Sequence, residues 1–326
     1  MTAGGAVLCS VAAALPAGSL PALLEEVPSV ARVLPHGSRR ASLDTSVATV
    51  GASSWTGAGY DGSSSTLVCV LDTGIDSSHP ALSGPVGPEA VFLEAGSQAS
   101  GFSDDADSDD DFHGHGTHVA GIVMSTDSTY QGVAKGGVLL DGKCGFRLLF
   151  EGNYYGSLED ADIMAAGDWA AGQGADAVNG SFGGGGTTDG SSGLTLFFEA
   201  LVDDLGVFAA LAAGNSGPDP GTVTVPGDSF NALTAGSLDD KGSASHTDNS
   251  LSSFSGRGPL DDGRRKPDLC APGANITSCA AAWNSLGNAR WLKGEFPAAV
   301  EAWRKAREAD PLCEEARRNL LRQQEE

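Results

Sequence analysis

Basic residues are scarce in this chain: 19 Lys and Arg stand against 42 Asp and Glu, a formal net charge of -23 over 326 residues. Phosphate recognition needs clustered Lys and Arg, so the balance argues against nucleic acid or an anionic membrane as a partner. Long apolar runs are absent as well, and none approaches the roughly 20 residues of a membrane span. The opening MTAGGAVLCSVAAALPAG has a short apolar core with no Lys or Arg ahead of it, a weak match to a secretion signal, and the compartment stays open. Cysteines number six (Cys9, Cys69, Cys144, Cys270, Cys279, Cys313), and no CxxC pair occurs among them. That spacing indicates neither a zinc site nor a redox motif. Buried free thiols are the expectation, with Cys69, Cys144 and Cys270 each beside a short apolar run.

Glycine, by contrast, is plentiful, with 46 residues, nearly all of them before Ala280. Charge divides at the same place. Residues 1–280 hold 34 acidic and 11 basic side chains, whereas residues 281–326 hold 8 of each and have the Ala, Glu, Arg and Leu content of helices. The change marks a domain boundary, produced either by a fusion or by a misjoined exon. Before it, LVCVL (67–71) is an apolar, β-branched run bounded by turn residues, the pattern of a buried parallel strand. Similar runs occupy 137–143, 175–182, 207–214 and 231–238, with helix-like stretches at 158–174 and 194–206 that end in glycine. Strands alternating with helices of this length predict an α/β domain with a parallel sheet. Ligands bind such sheets at the carboxyl ends of strands, where Asp72, Ser181 and Asn215 fall.

Three segments carry chemistry. VLDTGIDSSHP puts Asp72 directly after a strand, FHGHGTHVAGIV puts His115 in a glycine-rich helix entry, and LAAGNSGP puts Asn215 at a strand end before a turn. Taken singly, they read as a turn aspartate, a solvated or metal-binding His pair and a turn asparagine. Taken together, an Asp can orient a His that acts as general base, and an Asn amide can donate to a developing oxyanion.

On these motifs the chain resembles the subtilases, the subtilisin-like serine peptidases, over about Ser42 to Ser278. The resemblance implies an α/β, parallel-sheet subtilisin-like domain and peptide-bond hydrolysis through an acyl-enzyme. It makes DTGID the catalytic aspartate motif at Asp72, GHGTHVAG the histidine motif with His115 as base and His118 as a structural second histidine, and AAGNSGP the oxyanion motif at Asn215. GADAVNGSFGG resembles the strand that binds substrate backbone, at Ser181, Phe182 and Gly183. SSFSGRGPLDDGRRKPDLCAPGANITS (252–278) resembles the stretch leading toward the nucleophile, and His79 before Pro80 the family's His-Pro, a packing residue. LPALLEEVPSVARVLP (20–35) resembles the end of a propeptide, beside a processing or merely solvated pair at Arg39 and Arg40.

The resemblance then stops. A Gly-Thr-Ser-Met-Ala motif, its serine opening a long buried helix, belongs roughly twenty residues after Ala271-Pro272-Gly273, and the 326 residues contain none. Ser278 comes too early and Ser285 lacks the glycine and threonine of the elbow. The domain is therefore expected to be incomplete at its C-terminal end and close to inactive, with apolar surface left uncovered. Instead the tail resembles one tetratricopeptide repeat, a small all-α helical hairpin: Trp283, Leu286, Gly287, Phe296, Ala299, Trp303, Ala306 and Pro311 occupy its helix-pairing positions, although any αα-hairpin would share many of them. A single repeat cannot bury its own apolar face, so it packs on the body, on a second copy or on another protein. Segments 1–41, 42–279 and 280–326 follow as the domain organisation. No cofactor is required. Six aspartates in 103–114 read either as a solvated acidic loop or as a structural calcium site at Asp107, Asp109 and Asp111. Asn275 opens a glycosylation sequon. Two functions are open: a serine endopeptidase domain acting on peptides or proteins, or a pseudoprotease whose cleft binds peptides and whose hairpin binds a protein partner.

Overall fold

The structure, a computed structural model, describes residues 43–77, 79–82, 84–93, 111, 113–150 and 153–279. Residues 1–41 with Arg39 and Arg40, Asp107, Asp109, Ser285 and the 280–326 hairpin lie outside the described residues.

In chain order the elements are helices α1 (Leu43–Thr49) and α2 (Ala52–Gly57), strands β1 (Leu67–Asp72) and β2 (Val86–Val91), helix α3 (His115–Met124), strands β3 (Val138–Lys143), β4 (Gly145–Phe150) and β5 (Asn153–Leu158), helix α4 (Asp160–Gly172), strand β6 (Ala177–Gly180), helix α5 (Gly193–Asp203), and strands β7 (Phe208–Ala212), β8 (Leu233–Asp239), β9 (Ser250–Leu251) and β10 (Leu269–Pro272). The main sheet runs β10-β8-β7-β6-β1-β3-β2, all parallel, and β9 adds an antiparallel pair to β8. β1 has β3 on one side and β6 on the other, with Val70 opposite Asp141 and Asn179. The chain builds outward in both directions from β1, which makes its carboxyl end a switch point where a crevice opens.

Alternation along the strands sorts two cores. Cys69, Leu71, Leu140, Val178, Ala209 and Leu211 face α4 and α5, where Ile163, Ala166, Ala170, Leu194, Phe198 and Leu201 close the layer. Val70 and Leu139 face the other way, against Val119, Ala120 and Met124 of α3 and against Ile75 and Leu82. Each fully buried Leu or Phe contributes about 1.5–3 kcal/mol relative to exposure. Helix α5 starts where Ser192 caps it, its Oγ accepting from the Thr195 N–H at 3.0 Å, a contact worth about 1 kcal/mol.

All five apolar runs read from the sequence form strands, and both helix-like stretches form helices. Strand β2 was not foreseen because Gly87 and Pro88 interrupt VGPEAV; it is an edge strand, and its register shifts between Val86 and Glu89. Strands β4 and β5 pair antiparallel, apart from the main sheet. Four cysteines are described: Cys69, Cys144 and Cys279 are buried, and Cys270 is half-buried. Burial pushes the Cys69 and Cys144 thiols up, so both stay protonated.

Candidate active site

Strand β1 ends by delivering Asp72 beneath α3, whose first residue is His115. The Asp72 carboxylate, 2% exposed, meets His115 Nδ1 at 2.7 Å through Oδ1 and 2.9 Å through Oδ2. Thr73 N–H donates to the same Oδ1 at 2.8 Å, so the carboxylate is oriented before it meets the ring. The hydrogen bond that His115 Nδ1–H donates to Asp72 raises the His115 pKa above its ordinary 6.5, against a smaller opposing effect of burial. Asp72 favours the tautomer with the proton on Nδ1, which leaves Nε2 unprotonated in the neutral ring, on a side chain 45% exposed.

A second carboxylate sets the frame. Asp111 is 8% exposed and accepts from five donors around the entry to α3. Its Oδ1 accepts from Thr73 Oγ1 at 2.8 Å, from Gly114 N at 2.8 Å and from His113 N at 3.2 Å. Oδ2 accepts from Thr117 N at 2.8 Å and Thr117 Oγ1 at 2.7 Å. Thr73 Oγ1 accepts in turn from Gly116 N at 3.1 Å, and Thr117 Oγ1 from Asp76 N at 2.9 Å. The N-cap residue itself, Gly114 at φ 91°, offers no side chain, so in the first turn Asp111 takes the Thr117 N–H and Thr73 Oγ1 takes that of Gly116. Asp111 is one of the three aspartates of the calcium alternative, with Asp107 and Asp109; its oxygens accept from protein donors. Further along the β1 turn, Ile75 N donates to Asp141 Oδ2 at 2.7 Å, and burial holds Asp141 well above the usual carboxylate range. Gly116 permits the close crossing of helix and turn, since a methyl there would lie 2.1 Å from the Gly74 carbonyl oxygen.

His115 opens onto a cleft of about 530 Å³ that also brings together Ser181, Phe182, Gly183 and Asn215. Four of the residues named from the sequence for base, oxyanion and substrate roles thus share one cleft with His115, and Asp72 lies behind it. Gly183 begins a run of four glycines, and Gly184 is bridged antiparallel to Val225. Gly214, which precedes Asn215, sits at φ 88°, and a methyl on it would lie 2.3 Å from Thr224 Oγ1; one on Gly183 would lie 2.2 Å from the same atom. Thr224 is thus wedged between Gly183 and Gly214, with its buried hydroxyl unsatisfied among the described residues. Asn179 Nδ2 donates to Ser181 Oγ at 2.8 Å, and the Phe182 ring packs 6.3 Å from that of Phe198.

His118 faces away from this chemistry. Its Nε2 donates to the Ile276 carbonyl at 3.1 Å, burial lowers its pKa, and its own carbonyl accepts from Ser278 Oγ at 2.8 Å. Ser278 is therefore engaged with the α3 backbone. His79 belongs to a turn, its Nδ1 accepting from Ala81 N at 3.2 Å. Sequence reasoning missed Asp111 as an anchor, as well as Thr73 and Thr224. A carboxylate three residues before a glycine-led helix entry is a capping signal, and the surrounding aspartates hid it.

The chain matches the subtilase family over residues 63–296, a span that runs beyond Cys279. It is 34% identical over 220 residues to serine protease AprX of Bacillus subtilis, covering 65% of this chain and 47% of that protein. A cuticle-degrading protease of Metarhizium anisopliae is 36% identical over 225 residues, covering 67% and 48%. A subtilisin of Bacillus pumilus is 31% identical over 224 residues, 68% of each chain. The chain spans about half the length of the first two. The structure of the prenylagaramide maturation protease PagA shares the fold, with a TM-score of 0.50 over 72% of this chain and 70% of that one at 23% identity.

Proposed function

Because the chain belongs to the subtilase family, we propose that its cleft is a serine-endopeptidase site that retains the base and oxyanion groups and, without the nucleophile motif, binds peptides and does not turn them over. The Asp72–His115 contact at 2.7 Å carries this reading. With a serine in place, His115 Nε2 takes the hydroxyl proton as the oxygen attacks the peptide carbonyl, and Asp72 stabilises the imidazolium. The Asn215 amide donates to the oxyanion, a contribution of about 10²–10³ in turnover. His115 then passes its proton to the leaving amine, and water repeats the sequence on the acyl-enzyme. Ser181 to Gly183 pair with the substrate backbone as an added strand. Removing the serine alone costs about a millionfold in turnover, which supports the binding reading.

A fluorophosphonate probe, read by intact mass, separates the two functions. The expected outcome is no covalent adduct on the full chain, together with saturable binding of an extended peptide by calorimetry. A stoichiometric adduct would establish a working nucleophile and overturn the binding reading. The calcium reading rests on Asp107 and Asp109, since Asp111 is spent on protein donors. A rise in unfolding temperature with calcium, abolished by Asp107→Asn with Asp109→Asn, supports it, and no rise removes it.

A further inference from the structure

Parallel sheets are covered on both faces, because each face is apolar. This sheet is covered on both faces only in part. From β6 to β10, the residues turned toward α4 and α5 are buried, as Val178, Ala209, Leu211 and Thr234 show. The alternate residues, on the α3 side, are not. Ala210, Ala212, Leu233 and Ala235 are half-buried, while Phe208 is 52% and Leu269 44% exposed. Register aligns them across three strands: Ala210 opposite Leu233, Ala212 opposite Ala235, and Ala235 opposite Leu269. On this face α3 packs on β1 and β3, leaving a shelf of small side chains from β7 to β10 on which a helix can lie close.

The last described residues point to the occupant. Cys279 is buried in the α3-side apolar cluster with Val70, Leu139 and Met124. Gly121 of α3 admits it so closely that a methyl there would lie 2.7 Å from Cys279 N and 2.4 Å from Ser278 Oγ. The described chain therefore ends on the α3 side of the sheet, the side left partly uncovered among the described residues, and is held to α3 by the Ser278 and His118 contacts. The segment that follows opens with three alanines and then carries Trp283, Leu286, Trp291 and Leu292, and the family match continues into it as far as residue 296.

We propose that residues 280–326 dock on the α3-side face of their own sheet, with Trp283 and Trp303 covering the shelf formed by Ala210, Ala212, Leu233 and Ala235. The tail's apolar side and the sheet's uncovered side are then one interface within a single chain. Cysteine labelling of the full chain tests this. In the Ala210→Cys variant, a near-isosteric change, a maleimide reacts at position 210 at least tenfold more slowly than in the same variant that also carries Trp283→Asp and Trp303→Asp, read by peptide mass spectrometry. Equal rates in the two chains, fast or slow, would overturn the proposal. A labelling rate that falls as protein concentration rises would assign the cover to a second copy and also overturn it. Amide exchange on the unmodified chain gives an independent reading: peptides within 281–309 exchange at least tenfold more slowly than unstructured controls, and free exchange there contradicts the docking.

Discussion

The two walls of the cleft are built by different physics. On the His115 wall, side-chain charge does the positioning: Asp72 and Asp111 are buried and saturated with donors, and together they tie the end of β1 to the start of α3. The opposite wall is shaped by backbone, through Gly183 to Gly186, Gly214 and the Gly184–Val225 bridge, with Asn215 exposed at its rim. A general base has to hold one tautomer in one orientation, which takes fixed partners in a dry site. An extended peptide has to lie against bare main chain, which takes the absence of side chains. Loss of a partner group breaks the first wall, whereas added bulk breaks the second.

Removing the anchor has the largest effect. Asp111→Ala strands several buried donors, and urea denaturation should show a loss of about 3 kcal/mol or more. Gly214→Ala meets both a left-handed backbone and Thr224, costs about 2 kcal/mol, and should weaken peptide binding in calorimetry along with stability. Asp72→Asn removes the cause of the raised His115 pKa, so the imidazole titration followed by NMR moves down. Linkage gives the sign. A raised folded-state pKa stabilises the protein fully below the ordinary value near 6.5, and the gain fades as pH rises through the folded value. That fading is absent in the variant. His118 works in reverse: its lowered pKa gives stability that is present above about 6.5 and lost on acidification, and His118→Gln flattens that acid limb. Asn215→Ala is the smallest change, within about 0.5 kcal/mol of the parent in stability, and a larger loss would show that the exposed amide also supports the fold.

Residues whose role depends on a local pattern were legible in the sequence. LVCVL announced β1 because a wholly apolar β-branched run between turn residues has few other readings, and that fixed where Asp72 would emerge. His115 and Asn215 were legible from their glycine-bounded motifs, and the cleft joins them as expected. Asp111 was not, because one carboxylate among six aspartates looks like its neighbours until Thr73, which stands 38 residues earlier, closes on it. Thr224 was hidden for the same reason: its importance lies in what Gly183 and Gly214 leave room for. Strand β10 was marked only by the short apolar run beside Cys270, since LCAP has neither length nor alternation; its pairing with β8 makes it a strand.

The clasp between Thr73 and Asp111 also bears on how this chain tolerates change in length. It joins two points 38 residues apart, and the intervening segment holds most of the acidic run. Closing a flexible loop costs free energy that grows only with the logarithm of its length, about 0.6 kcal/mol for each doubling. The near part of that segment is committed to the fold, because Ile75 and Leu82 are core and β2 pairs with β3. Changes of length placed between β2 and Asp111 are therefore the ones expected to leave the Asp72–His115 spacing intact, since the carboxylate fixes the far end.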